Sequence, residues 1–190
     1  MNAAAVRRIS GAARAVLDFW FVESGRKKWF RGGPAFDADI RARFSGHHAA
    51  AAAGLLDPWR ATPTGALALI LILDQFSRNM FRRDARAFAQ DARCRDIAGE
   101  AIARRFDKIA TDEAKAFFYL PFMHSEDVRD QRRSVALFKA QLPASGNLAF
   151  AIEHAAIVAR FGRFPHRNEA LGRSSSPEEI AFLNQGGFRA

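Results

Sequence analysis

The sequence has little that would cross-link it or place it in a membrane. Cys94 is the only cysteine among 190 residues, so no disulfide can form within the chain and a reducing, cytoplasmic environment is expected. The longest apolar run, Gly65–Leu73, ends at an aspartate and has about half of the roughly 20 residues that cross a bilayer. Arginines, among them Arg7 and Arg8, interrupt the N-terminal stretch, which therefore lacks the apolar core of a secretion signal. We expect no contact with a membrane.

Basic residues are numerous, but they form no long block. The net charge of +9 favours partners that carry carboxylates or phosphates, because a summed positive potential attracts anions. The arginines are scattered, with pairs such as Arg82 and Arg83 but no run of five or six, so nucleic-acid binding is disfavoured. An acidic peptide or a small anionic ligand suits this charge better.

Sequence signatures of known catalytic and cofactor sites are also missing. The chain has no phosphate-binding loop, no glycine-rich dinucleotide motif and no serine nucleophile elbow. His47 and His48 are adjacent and point about 100° apart on a helix, and the other histidines lack the i, i+4 spacing of a zinc motif. Nothing beside Cys94 indicates an activated thiol. We therefore predict no metal and no cofactor, and whether the protein is an enzyme stays open.

Helical periodicity recurs along the chain, whereas no stretch alternates polar and apolar residues as a strand would. The sequence predicts one all-α domain over residues 1–190, built from antiparallel helices joined by short connections as a bundle or a curved stack. No repeat of tetratricopeptide length is visible. Helices are expected near Gly11–Glu23, Asp37–Phe44, His47–Gly54, Gly65–Phe81 with Thr64 as its cap, Ala87–Arg105, Asp112–Met123, Glu126–Gln141, Asn147–Phe161, and from Pro177, where Ser176 and Glu179 form a capping box.

The first polar cluster interrupts an apolar helix at "LDQFSRNMF". Its polar side chains, Asp74, Gln75, Arg78 and Asn79, fall within an arc of about 140° on a 3.6-residue helix. Asp74 and Arg78 have the i, i+4 spacing of an ion pair. Two interpretations stay open, a structural pair and a ligand contact.

The second cluster is "HSEDVRDQ", which begins at His124. Pro121 should end or kink the preceding helix, and Ser125 is expected to cap the next one with Glu126 and Asp127 in its first turn. Capping does not explain His124, which is either a satisfied structural group or an acid–base group beside a carboxylate.

The third cluster joins His154 to the stretch "RFGRFPHRN". The helix that contains His154 is apolar on most of its circumference, so the imidazole should be buried. One stripe comprises Phe150, His154, Ile157 and Phe161, and a second comprises Leu148, Ile152, Ala155 and Ala159. A glycine and a proline then end the helix and stiffen the exit. The polar residues of this corner are Arg163, His166, Arg167 and Asn168. Their partners are either the acids of the second cluster or an anionic ligand.

Several long stretches occur together in a recognisable order. They read "VLDFWF", "FDADIRARF", "LALILILDQFSRNMFR", "RAFAQDA", "FFYLPFMHSEDVRDQ", "ARFGRFPHRNEALGR" and "SPEEIAFL". From about Val16 to Leu183 the chain resembles the bacterial family catalogued as domain of unknown function 924. The resemblance implies a tetratricopeptide-like helical superhelix and no known reaction. The family usually has proline where this chain has Ser77, which should let the helix continue further here.

The three polar clusters match the signature of the family, and this match extends to Gln131, Gly172 and Arg173. The sequence therefore favours a binding or scaffold module with a polar groove for an acidic peptide or a small anionic ligand. An enzyme with a histidine and a carboxylate acting on an anionic substrate is the alternative. A third possibility is that the charged clusters pair among themselves and only fix the helices. The candidate binding residues are Asp74, Gln75, Arg78, Asn79, His124, Glu126, Asp127, His154, Arg163, His166, Arg167 and Asn168. The sequence does not indicate an oligomeric state.

Overall fold

The computed structural model describes residues 11–29 and 32–188, and helices dominate these ranges. Arg7 and Arg8, which interrupt the N-terminal apolar stretch, lie outside the described residues. The helices are residues 11–24 (α1), Arg26–Trp29 (α2), Gly33–Ala52 (α3), residues 63–80 (α4), Asp91–Ala103 (α5), Asp112–Met123 (α6), Val128–Gln141 (α7), Asn147–Phe161 (α8) and Pro177–Asn184 (α9). Short 3₁₀ turns occur at Asp57–Ala61, Ala85–Ala87, Phe106–Ile109 and Pro165–Arg167.

The described residues contain no β-strand, so the all-α prediction is confirmed. Within the same ranges, every helix is too short or too polar to span a bilayer. The tetratricopeptide-like arrangement stays a prediction. The ends of α6 and α8 are the ones predicted from the sequence.

Backbone contacts divide the chain into two compact units. The first comprises residues up to Arg82 and Arg86–Pro121, and the second comprises Arg83–Ala85 and Phe122–Ala190. Organisation as a single domain stays a prediction. Aromatic rings build the core of the first unit: Trp20 stacks on Trp29 with 6.0 Å between ring centroids, and Phe76 meets Phe44 at 4.9 Å. The second unit has its own core, formed by Ile157, Val158 and Phe164 with Phe161, Phe182 and Phe188 packed against it.

The helix α3 corrects one prediction. The two short helices expected on either side of Gly46 are one continuous helix of 20 residues. A glycine inside a helix costs about 1 kcal/mol relative to alanine, and the buried face on both sides of it outweighs that amount. Phe36, Ile40, Phe44 and Ala51 are all buried on this face.

The helix α4 carries the first polar cluster and begins two residues earlier than the sequence predicts. Its cap is Thr62, whose hydroxyl accepts a hydrogen bond from the N–H of Gly65 at 3.1 Å, so the prediction of Thr64 is wrong. Pro63 occupies the first turn, where no N–H is needed. The middle of the helix, Leu71–Phe76, is π-helical, a widening often found at functional sites. The helix then continues through Ser77–Met80, as the absence of proline at residue 77 predicts.

The second unit begins its helices with local caps. Asp127, not Ser125, caps α7, because its carboxylate accepts from the N–H of Arg129 at 2.7 Å. At the end of α8, Gly162 has a φ of 70°, a left-handed conformation that ends the helix. Ser176 and Glu179 form the predicted capping box at the start of α9.

Candidate functional site

The first polar cluster centres on Arg78, which lies between two carboxylates. Its Nη1 is 2.9 Å from Oδ1 of Asp74 on the preceding turn of α4. The same guanidinium donates two hydrogen bonds, each 3.0 Å long, to the carboxylate of Asp91 at the start of α5. The side chain of Asp74 is 2% exposed and that of Asp91 is 11% exposed. The predicted pair of Asp74 and Arg78 is therefore present and largely buried.

The charge balance of this cluster bears directly on ligand binding. Burial disfavours the cation, but the two carboxylates outweigh burial and raise the pKa of Arg78 above its ordinary value. The guanidinium of Arg78 is therefore already bonded to two carboxylates of the protein. Gln75, another predicted binding residue, donates to Asp74 at 2.5 Å and so takes part in the same cluster. The arrangement is suited to holding α4 against α5.

Asn79 belongs to a neighbouring cluster and not to the Arg78 group. Its amide donates at 2.8 Å to Asp37 of α3, a buried residue that the sequence did not single out. Arg82 donates to the same carboxylate at 2.8 and 3.0 Å. Burial would raise the pKa of Asp37, but the bonds from Arg82 and Asn79 outweigh it and the pKa is lowered. The sequence signal for Asp37 was its place on the apolar face of α3.

Two potentially reactive groups of the first unit are enclosed. Nε2 of His48 is 2.8 Å from Oγ of Ser77, and the hydroxyl of Ser77 also donates to the carbonyl of Leu73 at 2.7 Å. Both residues are buried, and burial lowers the pKa of His48 below 6.5. Burial also raises the pKa of the Cys94 thiol, which contacts the carbonyl of Ile70 at 3.6 Å. Neither group is placed for attack on a substrate in solution.

In the second unit, the HSED turn before α7 is tied by its own side chains. The hydroxyl of Ser125 donates to Asp130 at 2.7 Å and accepts from the N–H of Asp127 at 3.1 Å. The buried amide of Gln131 donates to the carbonyls of Met123 and Ser125 at 2.7 and 2.5 Å. Ser125 is therefore a turn residue, which explains why the cap moves to Asp127.

Glu126 is the acid of this turn that reaches the RFGRFPHRN corner. It accepts two hydrogen bonds from Arg173, at 2.7 and 2.9 Å, and one from the N–H of Phe164 at 2.8 Å. Burial opposes its ionisation, yet the donors outweigh burial and lower the pKa of Glu126 below 4.5. Arg173 also donates to the carbonyl of Phe164 at 3.2 Å and to the amide oxygen of Asn168 at 3.0 Å. Arg173 therefore organises the corner, although the sequence analysis identified it only as a member of the family signature.

A second acid, Glu179 of α9, holds the other side of the corner. Arg163 donates to its two carboxylate oxygens at 2.7 and 2.8 Å. The N–H of Ser176 and the amide of Asn168 donate to it at 2.7 and 3.3 Å. The hydrogen bonds from Arg163 are the largest cause that lowers the pKa of Glu179 to about 2. Arg163 is thus neutralised by the capping acid of α9 and not by the HSED turn.

The remaining predicted residues of the second unit surround this corner. Arg167 donates to the carbonyl of His124 at 2.9 Å and lies over the ring of Phe164, 4.5 Å from its centroid. His154 is buried, as predicted, with Nδ1 2.8 Å from the carbonyl of Phe150. His166 is half-buried and its ring meets Phe188 with 5.2 Å between centroids. Phe164 has no exposed surface, so it belongs to the core and offers no stacking platform for a base.

The outward face of α7 carries cations of a different kind. Its exposed basic residues are Arg129, Arg132, Arg133 and Lys139. Arg129 pairs with Asp127 at 2.8 Å. Among the described residues, no carboxylate pairs with Arg132, Arg133 or Lys139. Arg133 lies over the ring of Phe122, 4.1 Å from its centroid. This face was not predicted from the sequence, because its basic residues are spaced along the helix and do not form one contiguous run.

The predicted residues therefore form separate groups. Asp74, Gln75 and Arg78 come together within the first unit, where Asn79 turns to Asp37. The other eight candidates, His124, Glu126, Asp127, His154, Arg163, His166, Arg167 and Asn168, lie in the second unit. Of the residues described, no group of three or more His, Cys, Asp or Glu side chains is placed to hold a metal ion.

Comparison with known proteins agrees with these features. Residues 16–187 match the profile of a family described as a bacterial protein of unknown function, DUF924. The chain belongs to this family. A solved structure of a protein of unknown function, ATU0120 from Agrobacterium tumefaciens, is 44% identical with a TM-score of 0.88, over 93% of this chain and 99% of that one. No curated protein matches the chain.

Proposed function

We propose that this DUF924 protein is a binding or scaffold module whose partner is an acidic peptide or a small anionic ligand. The observation that carries the proposal is the contrast between two kinds of arginine. Those of the family signature, such as Arg78 and Arg163, have internal carboxylate partners. Cations on the outward face of α7, such as Arg132, have none among the described residues. In this proposal, the arginines of the family signature stabilise the fold, and these cations on the surface of α7 bind the partner.

The cost of exchanging partners supports this division. A ligand anion that took Arg163 from Glu179 would leave a carboxylate that is 4% exposed without its cation. Breaking a buried pair costs several kcal/mol, whereas an exposed cation gives up only water. The net charge of +9 supplies a long-range attraction for the same class of partner.

The alternative of an enzyme has weaker support. Acid–base catalysis requires a histidine and a carboxylate that a substrate can reach. His48 and His154 are buried and bonded to Ser77 and to a main-chain carbonyl. These contacts favour structural roles for both of these imidazoles.

Binding is tested by thermal unfolding and calorimetry with poly-glutamate, phosphate and citrate. We expect at least one of these anions to raise the melting temperature, and we expect the effect to shrink between about 20 and about 200 mM salt because exposed charges are screened. Poly-lysine of equal length is the control and should give no shift. If none of the three anions binds at low salt, the proposal is wrong.

A variant of the corner separates scaffold from binding site. Arg167→Ala removes a donor to the carbonyl of His124 and a cation over Phe164, so it should lower the melting temperature. Its affinity for poly-glutamate should equal that of the wild type. A loss of affinity at temperatures where the variant is fully folded would move the ligand site to the corner.

A further inference from the structure

The helix α7 presents an outward face that is basic throughout. At 100° per residue, its four exposed cations lie within an arc of about 120°. The other exposed residues on this face are Val128, Ala136 and Ala140, so it contains no acid. Asp130 lies off this face, where it accepts from Ser125. A partner lying along α7 would therefore meet positive charge along the length of the helix.

Its neighbour α8 presents an outward face that is largely apolar. Ala149, Ile152, Ala156 and Ala159 recur at spacings of three and four residues and are all exposed. The other exposed residues of α8 are Phe150, Glu153 and Arg160, and Arg160 pairs with Glu178. Ile152 keeps 54% of its surface in solvent. A helix that is apolar on most of its circumference is normally covered on both sides. The buried side of α8 is explained by the core of the second unit, and the exposed side is not.

The two faces belong to one antiparallel hairpin. α7 and α8 pack along each other and are joined by the short connection between Gln141 and Asn147. A third helix can rest in the groove between two such neighbours at an interaxial distance of about 8–10 Å. One side of that third helix would then meet cations and the other side would meet alanines and Ile152.

We infer that the α7–α8 hairpin is the docking surface for an acidic amphipathic helix of a partner protein. Carboxylates of that helix face Arg132, Arg133 and Lys139, and its apolar side chains lie on the α8 face. This inference rests on the proposed binding function and names the partner and the surface. Recognition of an amphipathic helix by a groove is a common mode of peptide binding, with anchors at i, i+3, i+4 and i+7.

The chemistry of the surface favours this occupant over others. Nucleic acid would use the cations but would leave the apolar face of α8 unpaired with anything suited to it. A bilayer calls for bulky apolar side chains such as tryptophan, phenylalanine and leucine, and three of the four residues in the α8 stripe are alanine. A second copy of the chain would bring another basic α7 face towards the first, where like charges repel.

The probe is a labelled peptide of glutamate and leucine, about 18 residues long and so roughly five helical turns, with leucines at heptad spacing. Binding is measured by fluorescence anisotropy, and peptide helicity by circular dichroism. We expect saturable binding with a gain in helicity. A scrambled peptide of the same composition should bind at least about tenfold more weakly, since it cannot present both faces at once.

Matched variants locate the surface. Arg132→Glu with Arg133→Glu and Lys139→Glu should weaken binding of the probe by at least about tenfold. The control changes three exposed cations elsewhere, Lys27→Glu, Arg83→Glu and Arg105→Glu, with an identical change in net charge. It should weaken binding by about twofold through long-range attraction alone. Ile152→Ser should weaken it several-fold without altering net charge.

Each other outcome has a definite meaning. If the α7 variant binds the probe as well as the wild type does, or if the control loses as much, the inference is wrong while anion binding itself stands. Equal binding of the scrambled peptide shows that charge alone is recognised. A preference for single-stranded DNA or for anionic phosphatidylserine vesicles over the probe, or concentration-dependent dimers in sedimentation that exclude the probe, would overturn the occupant proposed here. Failure of every anion to bind overturns the proposed function as well.

Discussion

The Arg78 cluster of the first unit and the corner of the second use the same chemistry in different ways. At Arg78, one guanidinium joins two carboxylates from two helices, and the acids are almost completely buried. At the corner, Glu126 and Glu179 each accept from an arginine and from a main-chain N–H, and the arginines are a quarter to a third exposed. The first cluster joins regular elements, whereas the second fixes an irregular segment.

This difference determines what each cluster loses when one member is removed. Removing Arg78 takes one guanidinium away from two buried carboxylates at once. At the corner, each acid has its own arginine and also accepts from a main-chain N–H, so the loss of one donor affects one acid and leaves its other donors in place. The first cluster should therefore be the more sensitive to substitution.

The largest expected effect is that of Arg78→Met. It should lower the free energy of unfolding by about 3–5 kcal/mol, because Asp74 and Asp91 lose the guanidinium that joins them in a buried site. Urea unfolding at pH 7 measures the change. Arg129→Met removes a solvent-exposed cation from its pair with Asp127 and should leave the midpoint unchanged within error.

The pH dependence of that variant provides an internal check. The electrostatic cost of removing the guanidinium is greatest when the neighbouring carboxylates are ionised, and it shrinks as acid protonates them. The stability gap between Arg78→Met and the wild type should therefore narrow on acidification. A gap that is constant between about pH 7 and pH 4 would mean that packing, not charge, is lost.

A variant of the corner should also approach the wild type on acidification, but for a different reason. The pKa of Glu179 falls from an ordinary value of 4.5 to about 2 on folding, and that of Glu126 is lowered as well. A depressed pKa adds stability above the unfolded value and loses it as pH falls through the folded value. The double variant Glu126→Gln, Glu179→Gln should be less stable than the wild type at pH 6, and the difference should fade as pH drops from about 4.5 towards about 2.

A single change at the corner should have a moderate effect. Glu126→Gln keeps the size of the side chain but loses the charge that holds Arg173 and the N–H of Phe164. A hydrogen bond to a charged group contributes about 1.5–3 kcal/mol. Because the glutamine oxygen can still accept hydrogen bonds, we expect a net loss in that range by chemical denaturation. An effect as large as that of Arg78→Met would contradict the contrast between the clusters.

The smallest effect concerns the cap that borders the corner. Ser176→Ala removes the hydroxyl that accepts from the N–H of Glu179 at 3.2 Å. Loss of such a cap costs about 1 kcal/mol, measured as a shift of the unfolding midpoint. Ser176→Asn, another good cap, should restore most of it.

The parts of this fold that the sequence predicts are those with local causes. Ser176 and Gly162 act within a few residues of their own helix ends, so their roles follow from spacing and backbone preference alone. The same holds for the pair of Asp74 and Arg78, four residues apart. Periodicity identifies the buried side of a helix, and it predicted correctly that His154 is buried.

Contacts between residues distant in sequence could not be predicted, because they depend on which helices pack together. Asp37 and Asp91 each lie on another helix than the arginine they neutralise, and helix periodicity does not say which helices touch. Arg173 was assigned no role because its partners Glu126 and Phe164 are 47 and 9 residues away. Ser125 was misplaced as a cap because Ser125 and Asp127 have equal cap propensity, and the bond to Asp130 decides between them.

The buried thiol of Cys94 can report local opening of the structure around α5. Because this side chain has no exposed surface, a thiol reagent reaches it after the structure around α5 has opened. The rate of alkylation under native conditions then counts opening events, much as hydrogen exchange does. The Asp91 that binds Arg78 stands on the same helix, one turn before Cys94. The effect of each substitution in the Arg78 cluster on local opening can therefore be measured as a change in the alkylation rate of Cys94, with no added label.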